Sequence, residues 1–99
     1  MPHSSDLIII AESKAKPGHE DALRTALLTM IAPSRAEAGC VQYTLHELLD
    51  EPGHFYFYEV WKDEAAFEFH TRTPYFVAFG PKVAEIRASS SLKKLKVLA

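Results

Sequence analysis

Residues 54–62 read HFYFYEVWK. In an extended chain alternate side chains share a face, so Phe55, Phe57, Glu59 and Trp61 fall on one side of this strand and Tyr56, Tyr58 and Val60 on the other. Both faces are rich in rings, so both need cover. A single layer of helices covers only one face of a sheet, and an uncovered face this aromatic is an association surface. The strand therefore predicts helices on the Glu59 side and a second copy of the chain on the Tyr58 side, most simply related by a two-fold axis.

The rest of the chain supplies the elements for such an arrangement. LIIIAES at 7–13 is a branched-aliphatic strand ahead of the Pro17-Gly18 turn. Ala22, Leu23, Ala26, Leu27, Met30 and Ile31 recur at helical spacing, and Glu20 and Asp21 suit the positive end of that helix. Pro33 is expected to kink or end it, and Gly39 precedes an extended run at 40–49. Asp50-Glu51-Pro52-Gly53 turns that run back into residues 54–62 as a hairpin. Asp63 caps a helix through EAAFEFHT, and Thr73-Pro74 begins a second piece whose Gly80-Pro81 should bend or divide it. SLKKLKVL at 91–98 closes the chain as a strand whose Lys93, Lys94 and Lys96 are its solvated positions. The order β-α-β-β-α-β predicts an α+β, ferredoxin-like fold with an antiparallel sheet.

At 99 residues the sequence is read as one domain over 1–99, with 1–6 a flexible N-terminus. Thirteen acidic and eleven basic residues leave a net charge of −2, without the basic footprint of nucleic-acid binding. Cys40 is the single cysteine, which rules out an internal disulfide. No apolar run approaches the roughly 18 residues needed to span a bilayer, and the expectation is a cytoplasmic protein with no membrane partner. His3, His19, His46 and His54 form no HxxxH or HExxH pattern, so no bound metal is expected. Gly18, Gly39, Gly53 and Gly80 are isolated, which excludes GxGxxG and P-loop phosphate cradles.

Chemistry must then come from acid, base and pocket. Glu59 shares a strand face with Phe55, Phe57 and Trp61, where a carboxylate is costly unless paired or raised in pKa. His70 and Phe67 are three residues apart on the following helix and face the same way, so a helix folded back over the sheet brings an imidazole toward Glu59 and Trp61. The same residues also read as a packing and hydrogen-bonding group, with Trp61 a core residue and Tyr43 a core ring.

The set Gly39-Cys40, Tyr43, Glu59-x-Trp61, Asp63, Ala66, His70 and Thr73-Pro74-x-Phe76-x-x-Phe79 resembles the antibiotic biosynthesis monooxygenase (ABM) superfamily, along nearly the whole chain. The resemblance implies a homodimer whose two sheets pack into a dimeric α/β barrel, with a ligand cavity between sheet and helices. It also implies a cofactor-independent monooxygenase acting on a small quinol-like or polycyclic aromatic substrate, which once deprotonated gives electrons to O2. In that reading His70 is the base, Glu59 orients it or shares its proton, and Tyr43 hydrogen-bonds a substrate oxygen. Trp61, Phe67, Phe76 and Phe79 are the substrate-binding walls, and no cofactor is needed. A haem-degrading branch is disfavoured, since it looks for an asparagine and the chain has none. FYFYE and DEAAFEFHTRTPYF are similar to the branch that processes the phosphorylated autoinducer-2 signal, which would make the protein an isomerase with Arg24, Arg35, Arg72 and Lys62 as candidate phosphate partners. A non-catalytic dimeric module that binds a small ligand is the third reading.

Overall fold

The computed structural model describes residues 6–99. His3 and most of the expected flexible terminus lie outside the described residues, but Asp6 is buried. Asp6 is held by its own contacts directly ahead of the first strand. The elements run β1 (Leu7–Ala15), α1 (Glu20–Leu28), α2 (Ile31–Arg35), β2 (Cys40–Glu47), β3 (His54–Trp61), α3 (Glu64–Thr71), α4 (Pro74–Val83) and β4 (Arg87–Lys96). This is the β-α-β-β-α-β plan with both helical regions in two pieces.

The strands lie in the order β2-β3-β1-β4 with every neighbouring pair antiparallel, the ferredoxin-like arrangement. β1 and β3, the most aliphatic and the most aromatic strands, occupy the centre. β4 is exposed along almost its whole length, and its lysines lie on the open edge, where charge discourages further strand pairing. It begins at Arg87 rather than Ser91, because Ala15 and Lys14 of β1 supply backbone partners for Arg87 and Ser89.

Register fixes which side chains meet. Ile9 of β1 stands opposite Glu59 and Lys94, Ala11 opposite Phe57 and Leu92, and Ser13 opposite Phe55 and Ser90. On β2, Tyr43 stands opposite Glu59 and Leu45 opposite Phe57. These residues form the helix-facing side of the sheet, over which Leu23, Ala26 and Leu27 of α1, Phe67 of α3 and Val83 of α4 are buried. The opposite side carries Ile10, Tyr56 and Tyr58, which are half-buried.

Pro33 does not end the first helix. The break falls at Thr29 and Met30, whose N–H groups reach back to Ala26 and Leu27 at 3.2 and 3.0 Å, and Pro33 sits in the first turn of α2, where a missing N–H costs no bond. Asp63 caps α3 as expected, its Oδ1 accepting from the Ala66 N–H at 2.8 Å. α4 runs undivided through Gly80-Pro81 to Val83 because both residues fall in its last turn. Gly39 brings the start of β2 against α3, and a Cβ there would overlap that of Ala66.

Candidate active site

Between the helix-facing side of the sheet and the helices lies a cavity of about 440 Å³. Its walls include Tyr43 of β2, Phe57 and Glu59 of β3, Phe67 of α3, and Phe76 and Phe79 of α4. Ala11 and Ser13 form the β1 side, and Arg87, Ser90 and Leu92 the β4 side. A volume of this size and an aromatic lining suit a small organic molecule.

Among the described residues Glu59 is the only acid on the ring-lined part of this wall. It is 4% exposed, and its Oε1 accepts a 2.9 Å hydrogen bond from the Trp61 indole N–H two residues along the same strand face. Loss of water raises its pKa to about 7; the indole hydrogen bond opposes that rise and the charge of Glu37 adds to it. A carboxyl with this pKa exchanges its proton at neutral pH. Tyr43 is also buried, its ring centroid 4.6 Å from that of Phe57, and desolvation followed by the Glu59 charge pushes its hydroxyl pKa up, so it stays a proton donor.

His70 is 1% exposed and packs its ring 4.4 Å from Trp61 and 4.9 Å from Phe76, between centroids. Neither His70 nor Trp61 is among the residues that line the cavity. The imidazole is instead tied to Glu37, which does not line the cavity either, with Nδ1 2.7 Å from its Oε2. Burial lowers its pKa against the opposing pull of Glu37, so at pH 7 the ring is neutral and its Nδ1–H donates to that oxygen. The Tyr75 hydroxyl donates to the same Glu37 oxygen and lies 3.3 Å from Ser34 Oγ. Oε1 of Glu37 is buried with no hydrogen-bond partner among the described residues.

The structure thus brings the expected site residues into one region but in two layers. Glu59, Tyr43, Phe67, Phe76 and Phe79 face the cavity, while Trp61 and His70 stand behind them. Glu37, Tyr75, Ser34 and Arg87 were not anticipated. Glu37 meets His70 across 33 residues of sequence, and Arg87 meets Ser13 across 74, so no local spacing announces either contact. Burial raises the Cys40 thiol to about 11, with the Glu37 and Glu59 charges adding to the rise, and leaves it unreactive. Of the phosphate partners considered, Arg24 is held by Glu47 and Asp21 and Arg35 donates to the Tyr43 carbonyl, and neither lines the cavity. Among the described residues no helix is long and apolar enough to cross a membrane.

The sequence pattern of a family described as antibiotic biosynthesis monooxygenase matches residues 6–82. A Synechocystis protein, sll1783, is 35% identical over 97% of this chain; the chain spans 66% of that relative, just under two thirds of its length. YcnE of Bacillus subtilis, provisionally named a monooxygenase, is 36% identical over 81% of this chain and 84% of its own. Among solved structures, PA3566 from Pseudomonas aeruginosa superposes with a TM-score of 0.92 at 40% identity, covering 98% of this chain and 99% of that one. Rv0793 from Mycobacterium tuberculosis does so with a TM-score of 0.89 at 30% identity, covering 96% and 97%. With fold and sequence in agreement, the chain belongs to the antibiotic biosynthesis monooxygenase family.

Proposed function

We propose that the protein is a cofactor-independent monooxygenase of quinol-like or polycyclic phenolic substrates, and that Glu59 is the group that takes the substrate's proton. One observation carries the reading: a carboxyl with a pKa of about 7 on the wall of an aromatic-lined cavity. A base is most effective when its pKa lies near the working pH, and an ordinary carboxylate is too weak to ionise a phenol. Desolvation makes Glu59 stronger than an ordinary carboxylate while leaving about half of it ionised at neutrality.

The chemistry balances without a cofactor. Glu59 removes a phenolic proton, and the phenolate passes one electron to O2. The resulting pair joins through a new C–O bond at a ring carbon. The O–O bond then breaks, and the distal oxygen leaves as water with the ring C–H proton and the proton held on Glu59. A hydroquinone plus O2 becomes a hydroxyquinone plus water. Tyr43 donates a hydrogen bond to the substrate oxygen, and Phe67, Phe76 and Phe79 exclude water that would quench the anion. Trp61 holds the Glu59 carboxylate. His70, expected as the base, is assigned here to position Trp61, tied in place by Glu37 and Tyr75.

The protein is read as a single working unit in the cytoplasm that acts as a homodimer. Ile10, Tyr56 and Tyr58 on the sheet side away from the helices supply the surface for the partner.

Oxygen uptake with a panel of naphthohydroquinones, benzohydroquinones and anthrone tests the function. The expected result is one O2 consumed per hydroxyquinone or quinone formed, above autoxidation, and at least ~100-fold less in Glu59→Gln. Binding without uptake would overturn the oxygenase in favour of a binding module. Turnover of a phosphorylated diketone without uptake would favour the isomerase.

A further inference from the structure

Glu59 occupies one end of the cavity. The other end carries a different chemistry that the oxygenase reading leaves unused. Arg87, at the start of β4, is the only cation among the described residues that line the cavity, and its Nη1 lies 3.4 Å from Ser13 Oγ. Its guanidinium carbon stands 5.8 Å from the centre of the Phe79 ring. Ser13 stands directly opposite Ser90 in the β1–β4 ladder, and both serines line the cavity on the same side of the sheet as the guanidinium.

No carboxylate forms an ion pair with Arg87 among the described residues. Two other cations on the helix side of the sheet are paired. Arg24 forks onto Glu47 at 3.0 and 2.6 Å, and Lys94, beside Phe67, reaches Glu64 at 2.5 Å. Burial lowers the Arg87 pKa with no acid opposing the effect. Glu12, at the cavity rim, does not supply the missing charge. Its carboxylate accepts from Tyr56 at 3.0 Å, Ser91 at 2.9 Å and the His54 ring. A half-buried guanidinium without a counter-ion is less well solvated than one in open water, and it gains when an oxyanion arrives to accept its forked donors.

We propose that Arg87, with the Ser13 and Ser90 hydroxyls, is an anion subsite that receives an oxyanion at the end of the substrate remote from Glu59. This deepens, and rests on, the reading of the cavity as the site for a phenolic substrate. Along β1 the subsite level at Ser13 is four residues from Ile9, the partner of Glu59, a separation of roughly 13 Å in an antiparallel strand. The substrate class is therefore an elongated aromatic acid, with a phenol at one end and a carboxylate or phosphate at the other. A neutral single-ring quinol spans too little of the cavity to use both ends.

Equilibrium binding separates this from the oxygenase claim because it needs no turnover. Anaerobic titrations compare 2-naphthol, 6-hydroxy-2-naphthoate and 6-hydroxy-2-naphthyl phosphate against wild type, Arg87→Gln and Arg87→Lys, each checked for folding by circular dichroism. The expected result is at least ~10-fold tighter binding of one or both anions than of 2-naphthol, abolished in Arg87→Gln and partly kept in Arg87→Lys. The preferred anion identifies carboxylate or phosphate. If 2-naphthol binds and neither anion gains, or the gain survives in Arg87→Gln, the anion subsite is wrong while the cavity reading stands. If none of the three binds, both fall.

Discussion

The Trp61 indole N–H donates to Oε1 of Glu59 at 2.9 Å from two positions along the same strand, with both residues buried. The bond joins the two layers of the site, since Glu59 faces the cavity and Trp61 backs onto His70. An indole is a donor only, so it favours the ionised carboxylate and pulls against the desolvation that raises its pKa.

Replacing Trp61 by Phe removes that donor and keeps an aromatic ring in place. A hydrogen bond to a charged group contributes about 1.5–3 kcal/mol, so the Glu59 pKa should rise by roughly one unit or more. The acid limb of kcat/KM should move to higher pH by that amount, read from the rate profile of Trp61→Phe. An unmoved limb would show that the indole bond does not tune the catalytic carboxyl.

Glu59 also makes stability depend on pH. Its folded pKa of about 7 lies above the ordinary 4.5, so the folded state holds a proton that the unfolded chain releases first. Its contribution is complete below about 4.5 and is lost as pH rises through about 7, at a cost on the order of 3 kcal/mol. Urea unfolding at pH 5 and pH 8.5 should show that loss in wild type and show it largely removed in Glu59→Gln. Equal slopes in the two proteins would contradict the burial argument.

Glu37 anchors the rear layer. Glu37→Ala leaves the buried His70 Nδ1–H without its acceptor, at a cost of about 1–3 kcal/mol, and takes one partner from the half-buried Tyr75 hydroxyl, which keeps Ser34 Oγ at 3.3 Å. The variant should lose about 2 kcal/mol in urea unfolding and keep the acid limb of any remaining activity, moved only to lower pH, because the Glu37 charge adds to a rise in the Glu59 pKa that desolvation dominates. Loss of the limb, or its movement to higher pH, would place Glu37 and His70 in the proton path.

The sheet side opposite the helices carries Ile10 and Tyr58 as cross-strand partners, each half-buried in the single chain. In the proposed homodimer a lysine there would carry an unpaired charge into the interface. Tyr58→Lys should sediment as a monomer where wild type sediments as a dimer. Monomeric wild type at micromolar concentration would remove the homodimer from the account.

Much of this was legible from local pattern. Alternation alone placed Glu59 with Trp61, and the three-residue offset placed His70 with Phe67, since strand and helix periods fix the direction of neighbouring side chains. What local pattern could not give was depth. His70 and Trp61 were expected on the cavity wall, yet the ring-on-ring packing of Trp61, Phe76 and His70 sets both behind it. Glu37 follows a short helix whose position depends on its tertiary neighbours, and Arg87 joins Ser13 through β4, a strand whose polar start carries little hydrophobic signal. Pro33 misled for a related reason: it marks a helix start as readily as a helix end, and the neighbouring turn decides which.

The pH dependence of kcat/KM for quinol-dependent oxygen uptake tests the central claim most directly. With Glu59 as the proton acceptor, the rate should rise along an acid limb with a midpoint near 7, and Glu59→Gln should lose both the limb and the activity. A limb below 6.5 that persists in Glu59→Gln and vanishes in His70→Gln would return the proton to the imidazole, whose pKa burial lowers from 6.5, and would contradict the account.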